Sequence, residues 1–281
     1  MIQVESLSYN YPNGKEVISN LNFSISKGEI FGFLGPSGSG KSTTQKILFR
    51  LLNNYRGTAQ IAGKEVSQWN SELFNIIGVG FELPNHYLKM TARENLEFFG
   101  GFYRKSMNVD ALLESVGLLN DAHKKVSEFS KGMKMRLNFI RSFMHDPEIL
   151  FLDEPTSGLD PVNAKMVKDI IADLRKKGKT IFITTHQMHD ADELCDRVAF
   201  LSGGKIMAMD SPAQLKLRHS SNMVEVTVSG QSQKHQFPIS KLGSNPDFLS
   251  LISHQEIETI HSREASLDEV FIKVTGKNLH E

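Results

Sequence analysis

The chain of 281 residues carries 32 Lys and Arg against 32 Asp and Glu, so its formal net charge at pH 7 is zero. A neutral chain has no global field that attracts polyanions, so we expect no nucleic-acid partner. The single cysteine, Cys195, excludes an internal disulfide and fits a reducing cytosol. There is no secretory signal pattern, and no apolar run reaches the roughly 20 residues of a spanning helix, so we expect a cytoplasmic protein.

Apolar and polar residues alternate through residues 1–30, and the turn signal YPNG at 11–14 separates two alternating runs. This pattern predicts an antiparallel β region. The run IFGFL at 30–34 is continuously apolar, as in a strand that is buried on both faces. A Gly-rich loop and a helical apolar pattern follow, so the segment predicts a strand, a loop and a helix.

Residues 90–145 have apolar side chains at helical spacing and predict a mainly helical region. From residue 149 onward, short apolar runs alternate with helical patterns. The predicted elements are a strand at 149–153, a helix at 161–177, a strand at 180–185, a helix at 189–196 and a β-hairpin at 198–209. Strands that alternate with helices predict an α/β fold with a mainly parallel sheet.

The sequence changes in character after about residue 216. Residues 223–229 alternate like a strand, polar sequence follows, and Ser266 and Glu269 form a capping-box pattern that predicts a short helix. We therefore predict a first domain at 1–216 and a small α+β accessory region at 217–281.

The loop after the apolar run at 30–34 fits the phosphate-binding pattern G-x-x-x-x-G-K-[ST] in full, between a predicted strand and a predicted helix. Its backbone N–H groups and the helix dipole can bind phosphate oxygens. The lysine can pair with the β- and γ-phosphates, and the hydroxyl of the last serine can bind Mg²⁺. The predicted nucleotide-binding residues of this segment are Gly35, Pro36, Ser37, Gly38, Ser39, Gly40, Lys41, Ser42 and Thr43.

Two carboxylates end the apolar run ILFLDE at 149–154. Asp153, at the end of a buried strand, is suited to the Mg²⁺ shell. Glu154 has no such role to fill, so it is the candidate to orient and polarise an attacking water. Together with the phosphate loop, the pair indicates hydrolysis of a nucleoside triphosphate.

The stretch FSKGMKMRLNFIRSFMHDPEILFLDEPTSGLDP at 129–161 closely resembles the ATP-binding cassette family. Ser130 to Met133 is similar to the signature loop of that family, in a variant with Lys and Met in place of Gly and Gln. Residues 157–160, ending in Asp160, resemble its D-loop, and Thr185-His186 resembles its switch histidine. Tyr11 stands where the family has an aromatic that stacks on adenine, although it could also simply pack beside the turn.

The resemblance covers residues 1 to about 216 and implies a P-loop NTPase core with an antiparallel β subdomain and a helical subdomain at about 85–145. It implies ATP and Mg²⁺ as cofactors, with Glu154 and His186 in catalysis. It also implies a dimer in which Ser130, Gly132 and Asp160 approach the ATP that is held by a second nucleotide-binding subunit. The transported compound would pass through a separate transmembrane permease, with this chain peripheral on the inner face of the membrane.

The signature variant and the tail SLDEVFIKVTG resemble bacterial exporter subunits for multidrug, antibiotic, lipid or polysaccharide export. The alternative is a soluble cassette ATPase that acts on ribosomes or DNA. Members of that class carry two cassettes, coiled coils or zinc inserts, which this sequence lacks. Export through a separate membrane subunit is therefore the favoured function.

A further position, outside the signature loop, departs from the family pattern. Glu82 follows IIGVG, where the family usually has Gln, so we expect Ser42, Glu82 and Asp153 around Mg²⁺, with one additional negative charge. The segment after Glu82 is unusually apolar for a connection; its apolar residues are Leu83, Pro84, Tyr87, Leu88 and Met90. They either pack under the helical subdomain or form a socket for the membrane subunit.

Overall fold

The amino-terminal strands form an antiparallel sheet. In the computed structural model, which describes residues 1–12, 14, 16–220, 223–230, 234–262 and 264–276, the strand order is β2-β1-β4-β5. The strands are β1 (Ile2–Asn10), β2 (Glu16–Ile25), β4 (Arg56–Ile61) and β5 (Lys64–Glu65). The predicted antiparallel region is therefore confirmed, although Asn13 of the YPNG turn lies outside the described residues.

A six-stranded sheet forms the centre of the fold, with the order β10-β9-β3-β8-β7-β6. Its strands are β3 (Ile30–Leu34), β6 (Ile77–Gly80), β7 (Ile149–Asp153), β8 (Thr180–Thr185), β9 (Arg197–Ser202) and β10 (Lys205–Asp210). All neighbouring pairs are parallel except β9 with β10, which form the predicted hairpin. Every residue of β3 and β8 is buried, as continuous apolar runs in a covered parallel sheet should be.

Side chains of the central sheet alternate between two hydrophobic clusters. Phe31 and Phe33 of β3 face the antiparallel sheet, where they join Phe23, Phe151 and Phe182. Ile30 and Leu34, on the opposite face, pack in the cluster that the helices cover. This period of two places the sheet between a β layer and a helical layer.

Helices lie on both faces of the sheet and form the region between β6 and β7; the first two pack in the cluster that faces the antiparallel sheet, and the others pack on the opposite face. They are α1 (Lys41–Leu48), α2 (Leu73–Ile76), α3 (Ala92–Gly100), α4 (Val109–Ser115), α5 (Lys131–Phe143), α6 (Pro161–Lys176) and α7 (Met188–Leu194). One buried cluster contains Leu96 of α3, Leu112 of α4 and Leu137 of α5, which confirms the helical subdomain. Within the described ranges, no helix combines the length and apolar character that crossing a membrane requires.

The carboxy-terminal part contains a small α+β unit. Its elements are α8 (Pro212–His219), β11 (Met223–Val228), β12 (Lys234–Pro238), α9 (Pro246–His254), β13 (Ile257–Ser262) and α10 (Leu267–Thr275). The sheet β12-β11-β13 has its own core around Val224, Val226 and Phe248. The predicted capping box of Ser266 and Glu269 is present. The domain division after residue 216 stays a prediction, and it falls within α8.

The last helix returns to the core of the first part of the chain. Leu267, Val270 and Phe271 of α10 are fully buried in the helical-face cluster, and the Phe271 ring meets Phe200 of β9 edge-to-face at 5.3 Å. No local sequence pattern predicts this contact, because the two rings are far apart along the chain. Part of the accessory region thus contributes to the core beneath the central sheet.

We expect Phe271→Ala to lower the free energy of unfolding by about 3–5 kcal/mol, because it leaves a cavity against Phe200. The neighbouring Ile272 is 44% exposed, so Ile272→Ala is the matched control and should cost much less. Urea unfolding of the two variants measures the difference. Equal stabilities would show that α10 does not contribute to the core.

Candidate functional site

A cavity of about 470 Å³ opens at the carboxyl ends of the parallel strands, where ligands bind in open α/β sheets. It is bounded by the loop after β3, the ends of β7 and β8, and the antiparallel sheet. Its lining residues are Tyr11, Val17, Ser37, Gly38, Gly40, Lys41, Ser42, Thr43, Glu82, Asp153, Glu154 and His186. Most of the residues predicted from the sequence to bind nucleotide or metal therefore meet in one place.

The loop from β3 to α1 needs glycine at two positions for different reasons. A Cβ on Gly35 would lie 2.2 Å from the carbonyl oxygen of Leu201, so the loop can pass β9 only without a side chain there. Gly40 precedes α1 with φ of 110°, a left-handed conformation that favours glycine. The loop thereby delivers the unpaired first N–H groups of α1 to the cavity.

Lys41 lies at the base of the cavity and is largely buried. Its Nζ donates hydrogen bonds to the carbonyl oxygens of Gly35, at 2.6 Å, and Pro36, at 3.0 Å. Burial lowers the pKa of Lys41, while the nearby Glu154, Asp153 and Glu82 carboxylates oppose that shift. The Lys41 Nζ therefore lies among three carboxylates at the base of the cavity, where a bound anion can reach it.

The Asp153 carboxylate lies between two hydroxyl groups. Ser42 donates to Oδ1 over 3.3 Å, and Thr184 of β8 donates to the same oxygen. A carboxylate and a serine hydroxyl are the hard oxygen ligands that Mg²⁺ prefers. The buried Oγ of Ser39 has no hydrogen-bond partner among the described residues, as expected of a loop built to hold a further polar group.

Glu154 is buried and held by the end of β8. Its Oε2 accepts a hydrogen bond of 3.0 Å from the Thr185 hydroxyl, and its Oε1 accepts one of 3.0 Å from the backbone N–H of His186. The Nδ1 of His186 lies 2.8 Å from the same Oε1, and the imidazole is about half exposed. Glu154 also has φ of 50°, a left-handed conformation that is uncommon outside glycine. These contacts fix one carboxylate at the cavity wall beside an accessible histidine.

Tyr11 and Glu82 also line the cavity. The Tyr11 ring packs edge-to-face on Tyr9 at 5.1 Å, and its hydroxyl lies 3.4 Å from the Thr43 hydroxyl. Glu82 is exposed, two residues beyond the end of β6. Both therefore have access to a ligand in the cavity.

Ser130, Gly132 and Asp160 do not line this cavity. The Ser130 hydroxyl caps α5 by accepting a hydrogen bond of 3.2 Å from the N–H of Met133. Asp160 caps α6 through the N–H groups of Val162 and Asn163, and its hydrogen bond with the Asn163 side chain keeps the pKa of Asp160 below its ordinary value. The predicted signature and D-loop residues thus lie at two exposed helix starts.

Two further residues, Thr184 and Thr185, hold the acids of the site. Thr184 was not predicted from the sequence, and Thr185 was noted only as the neighbour of the switch histidine. Both belong to β8, and their hydroxyls orient Asp153 and Glu154 respectively. The signal was present in TIFITT, because two threonines end a strand that is otherwise apolar.

Comparison with known proteins agrees with this geometry. Residues 18–157 match the family described as ABC transporter, and residues 223–264 match a fluoroquinolone efflux ABC transporter C-terminal domain. The chain is 51% identical to the fluoroquinolones export ATP-binding protein of Mycobacterium tuberculosis strain H37Rv, over 99% of this chain and 94% of that protein.

Two solved structures are similar as well. One is a dimeric post-hydrolysis state of an ATP-binding cassette bound to ADP and Pi, with 26% identity, a TM-score of 0.68, and coverage of 75% of this chain and 98% of that chain. The other is part of an ABC transporter complex from Clostridium perfringens, with 26% identity, a TM-score of 0.67, and coverage of 76% and 89%. The chain therefore belongs to the ATP-binding cassette family and is an ATP-binding subunit with ATPase activity.

Proposed function

We propose that the chain powers export of fluoroquinolone-type compounds through a separate membrane permease, as a dimer peripheral on the inner face of the membrane. The observation that carries the proposal is the complete phosphate cavity, in a chain that aligns over 94% of a fluoroquinolones export ATP-binding protein. The match of residues 223–264 to a fluoroquinolone efflux C-terminal domain supports the same class of substrate.

The cavity residues have distinct tasks in nucleotide binding. Residues 35–43 hold the phosphates through backbone N–H groups, Lys41 contacts the β- and γ-phosphates, and Tyr11 stacks on the adenine. Ser42, Asp153 and Glu82 would hold Mg²⁺; the Ser42–Asp153 contact of 3.3 Å supports the first two, and Glu82 lines the same cavity. Bound Mg²⁺ neutralises charge on the phosphates.

Glu154 acts as the general base and His186 as its positioning partner near the γ-phosphate. The carboxylate is held by Thr185 and by the backbone of His186, so it is already oriented before water arrives. Such preorganisation lets a carboxylate accept a proton from water without rearranging. His186 is half exposed and can follow the state of the phosphate.

The residues that lie outside the cavity serve a second copy of the nucleotide-binding subunit. A two-fold interface is isologous, so the starts of α5 and α6 on one subunit can meet the cavity of the other, twice. Ser130, Gly132 and Asp160 then contact ATP across the interface. The dimeric state of the related cassette bound to ADP and Pi supports this arrangement.

A second surface is suited to the permease. A groove of about 220 Å³ is lined by aromatic and aliphatic side chains; they include Phe49, Leu51, Phe74, Phe81, Phe99 and Tyr103. At its edge, Tyr87 contacts Phe98 and Phe99, while Leu83 is 77% and Phe102 70% exposed. This much exposed apolar surface favours a docking socket over packing beneath the helical subdomain.

Hydrogen bonds link the proposed docking socket to α5, the helix that begins at the signature loop. Asn138 and Arg141 of α5 donate to the carbonyl oxygens of Phe81, at 2.7 Å, and Asn85. His86 Nε2 lies 3.0 Å from the carbonyl oxygen of Lys134. A change at Glu82 would therefore move the socket together with α5.

Tyr87→Asp is expected to weaken permease binding and export while leaving the ATPase rate of the isolated chain largely unchanged. The ring is 50% exposed, so a carboxylate can be tolerated without unfolding, but it would be desolvated in an apolar contact. A pull-down with the permease, an ATPase assay and cellular efflux of a fluorescent fluoroquinolone measure the three effects.

Tyr87→Phe keeps the aromatic ring and is the matched control. An unchanged pull-down for Tyr87→Asp, or a loss of its thermal transition, would favour packing over docking. Co-purification of the wild-type chain with rRNA or DNA in place of a membrane protein would favour the soluble alternative.

A further inference from the structure

The cavity has an excess of negative charge. Lys41 is its one Lys or Arg side chain among the described lining residues, and three carboxylates surround it: Glu82, Asp153 and Glu154. A nucleoside triphosphate adds further negative charge. Glu82 forms no hydrogen bond or ion pair within the part of the chain that the structure describes. Lys41 and the Mg²⁺ of the proposed function are the positive charges near it in one subunit, and the three carboxylates with the triphosphate outnumber them.

An unpaired lysine lies at the start of α5, next to the D-loop. Lys131 is exposed, and its Cε and Nζ would lie 3.0 Å from a Cβ on Gly158, so the ammonium group rests against the D-loop backbone. No carboxylate of the described ranges forms an ion pair with it. Its neighbours Ser130 and Gly132 belong to the loop assigned above to the partner's nucleotide.

We propose that Lys131 enters the partner subunit's cavity, where it contacts the terminal phosphate and balances the charge of Glu82. The proposal rests on the two-fold dimer of the proposed function. Two departures from the family pattern then compensate each other. Lys at the second signature position adds a positive charge, Glu82 adds a negative one, and the closed site keeps its net charge.

The contact can form only in the assembled dimer. Lys131 lies outside its own cavity, so it cannot affect binding of ATP to a single subunit. In the dimer it is brought to an anion where water is partly excluded, and there a charged hydrogen bond is strong. Lys131 thus contacts the ATP that is held by the other subunit. The negative charge of Glu82 determines how strongly ATP-driven dimerisation depends on that contact.

The test is a double-mutant cycle in a Glu154→Gln background, which slows hydrolysis so that ATP-bound dimers persist. Lys131→Gln, Glu82→Gln and the double variant are compared with the parent by sedimentation at increasing concentrations of ATP and Mg²⁺. Lys134→Gln, one turn further along α5 and beside His86, is the control.

Lys131→Gln should raise the ATP concentration for half-maximal dimerisation by about 10- to 100-fold, the effect of losing one charged hydrogen bond. Adding Glu82→Gln should recover much of that loss, because the unbalanced carboxylate is gone. Binding of a fluorescent ATP analogue to the monomer should not change in Lys131→Gln.

Strictly additive effects, or a Lys131→Gln variant that dimerises like the parent and like Lys134→Gln, would overturn the proposal. A parent that binds ATP and does not dimerise would instead overturn the two-fold dimer itself. The two failures are therefore distinguishable in one experiment.

Discussion

Glu154→Gln should bind ATP normally and lose turnover by about 10²- to 10⁴-fold, the contribution of a well-placed general base. The amide has the shape of the carboxylate: its oxygen can accept from the His186 backbone N–H, and its NH2 can donate to the Thr185 hydroxyl oxygen, which reverses that bond. It cannot accept a proton from water. The fold should therefore survive, while the chemical step is lost.

Phosphate release and nucleotide binding, measured on the same preparation, separate the two effects. Glu148→Gln is the matched control, because Glu148 is exposed and precedes the same strand, β7, at its opposite end. We expect the Glu154 variant to accumulate as an ATP-bound dimer and the control to turn over normally. Near-wild-type turnover of Glu154→Gln would remove the residue from its catalytic role.

The parts of the site that could be predicted are those that lie close together along the chain. The phosphate loop from Gly35 to Ser42 is one contiguous segment between a strand and a helix, and its pattern encodes its geometry. Asp153 and Glu154 could be predicted for the same reason, since two acids at the end of a buried strand are suited to holding a cation and a water. The structure brings both segments into one cavity.

Contacts between distant segments could not be predicted in the same way. Thr184 and Thr185 orient the two acids from a neighbouring strand, and threonine is common in strands. The burial of Phe271 against Phe200 joins positions that no local pattern connects. Such contacts depend on the order of strands in the sheet, which periodicity does not specify.

The segment after Glu82 is intermediate between these cases. Its apolar composition predicted either packing or docking, because composition cannot tell a buried side chain from an exposed one. The exposed fractions of Leu83, Tyr87 and Leu88, which are 77%, 50% and 51%, make that distinction. Asn95, whose side chain hydrogen-bonds the backbone of Tyr87, holds the segment in this conformation.

Gly132→Asp should leave ATP binding to the monomer intact and weaken ATP-driven dimerisation by at least about 100-fold. A carboxylate at this position would face the partner's terminal phosphate, and the two-fold interface repeats the repulsion at both nucleotides. The fold has room for the change, since a Cβ on Gly132 would meet only Leu159, at 3.7 Å. An acidic residue in the first turn of α5 is also compatible with the helix dipole.

The comparison with Gly132→Ala separates charge from size. Alanine adds the same Cβ at the same ordinary distance from Leu159, so it should dimerise far better than the aspartate variant. Analytical ultracentrifugation with and without ATP gives the association constants, and equilibrium binding gives the monomer affinity. If Gly132→Asp folds and loses ATP binding as a monomer, the start of α5 belongs to its own subunit's site. If the variant keeps ATP binding and loses dimerisation, the start of α5 acts across the interface. A residue outside the cavity can act on the nucleotide only through the second copy.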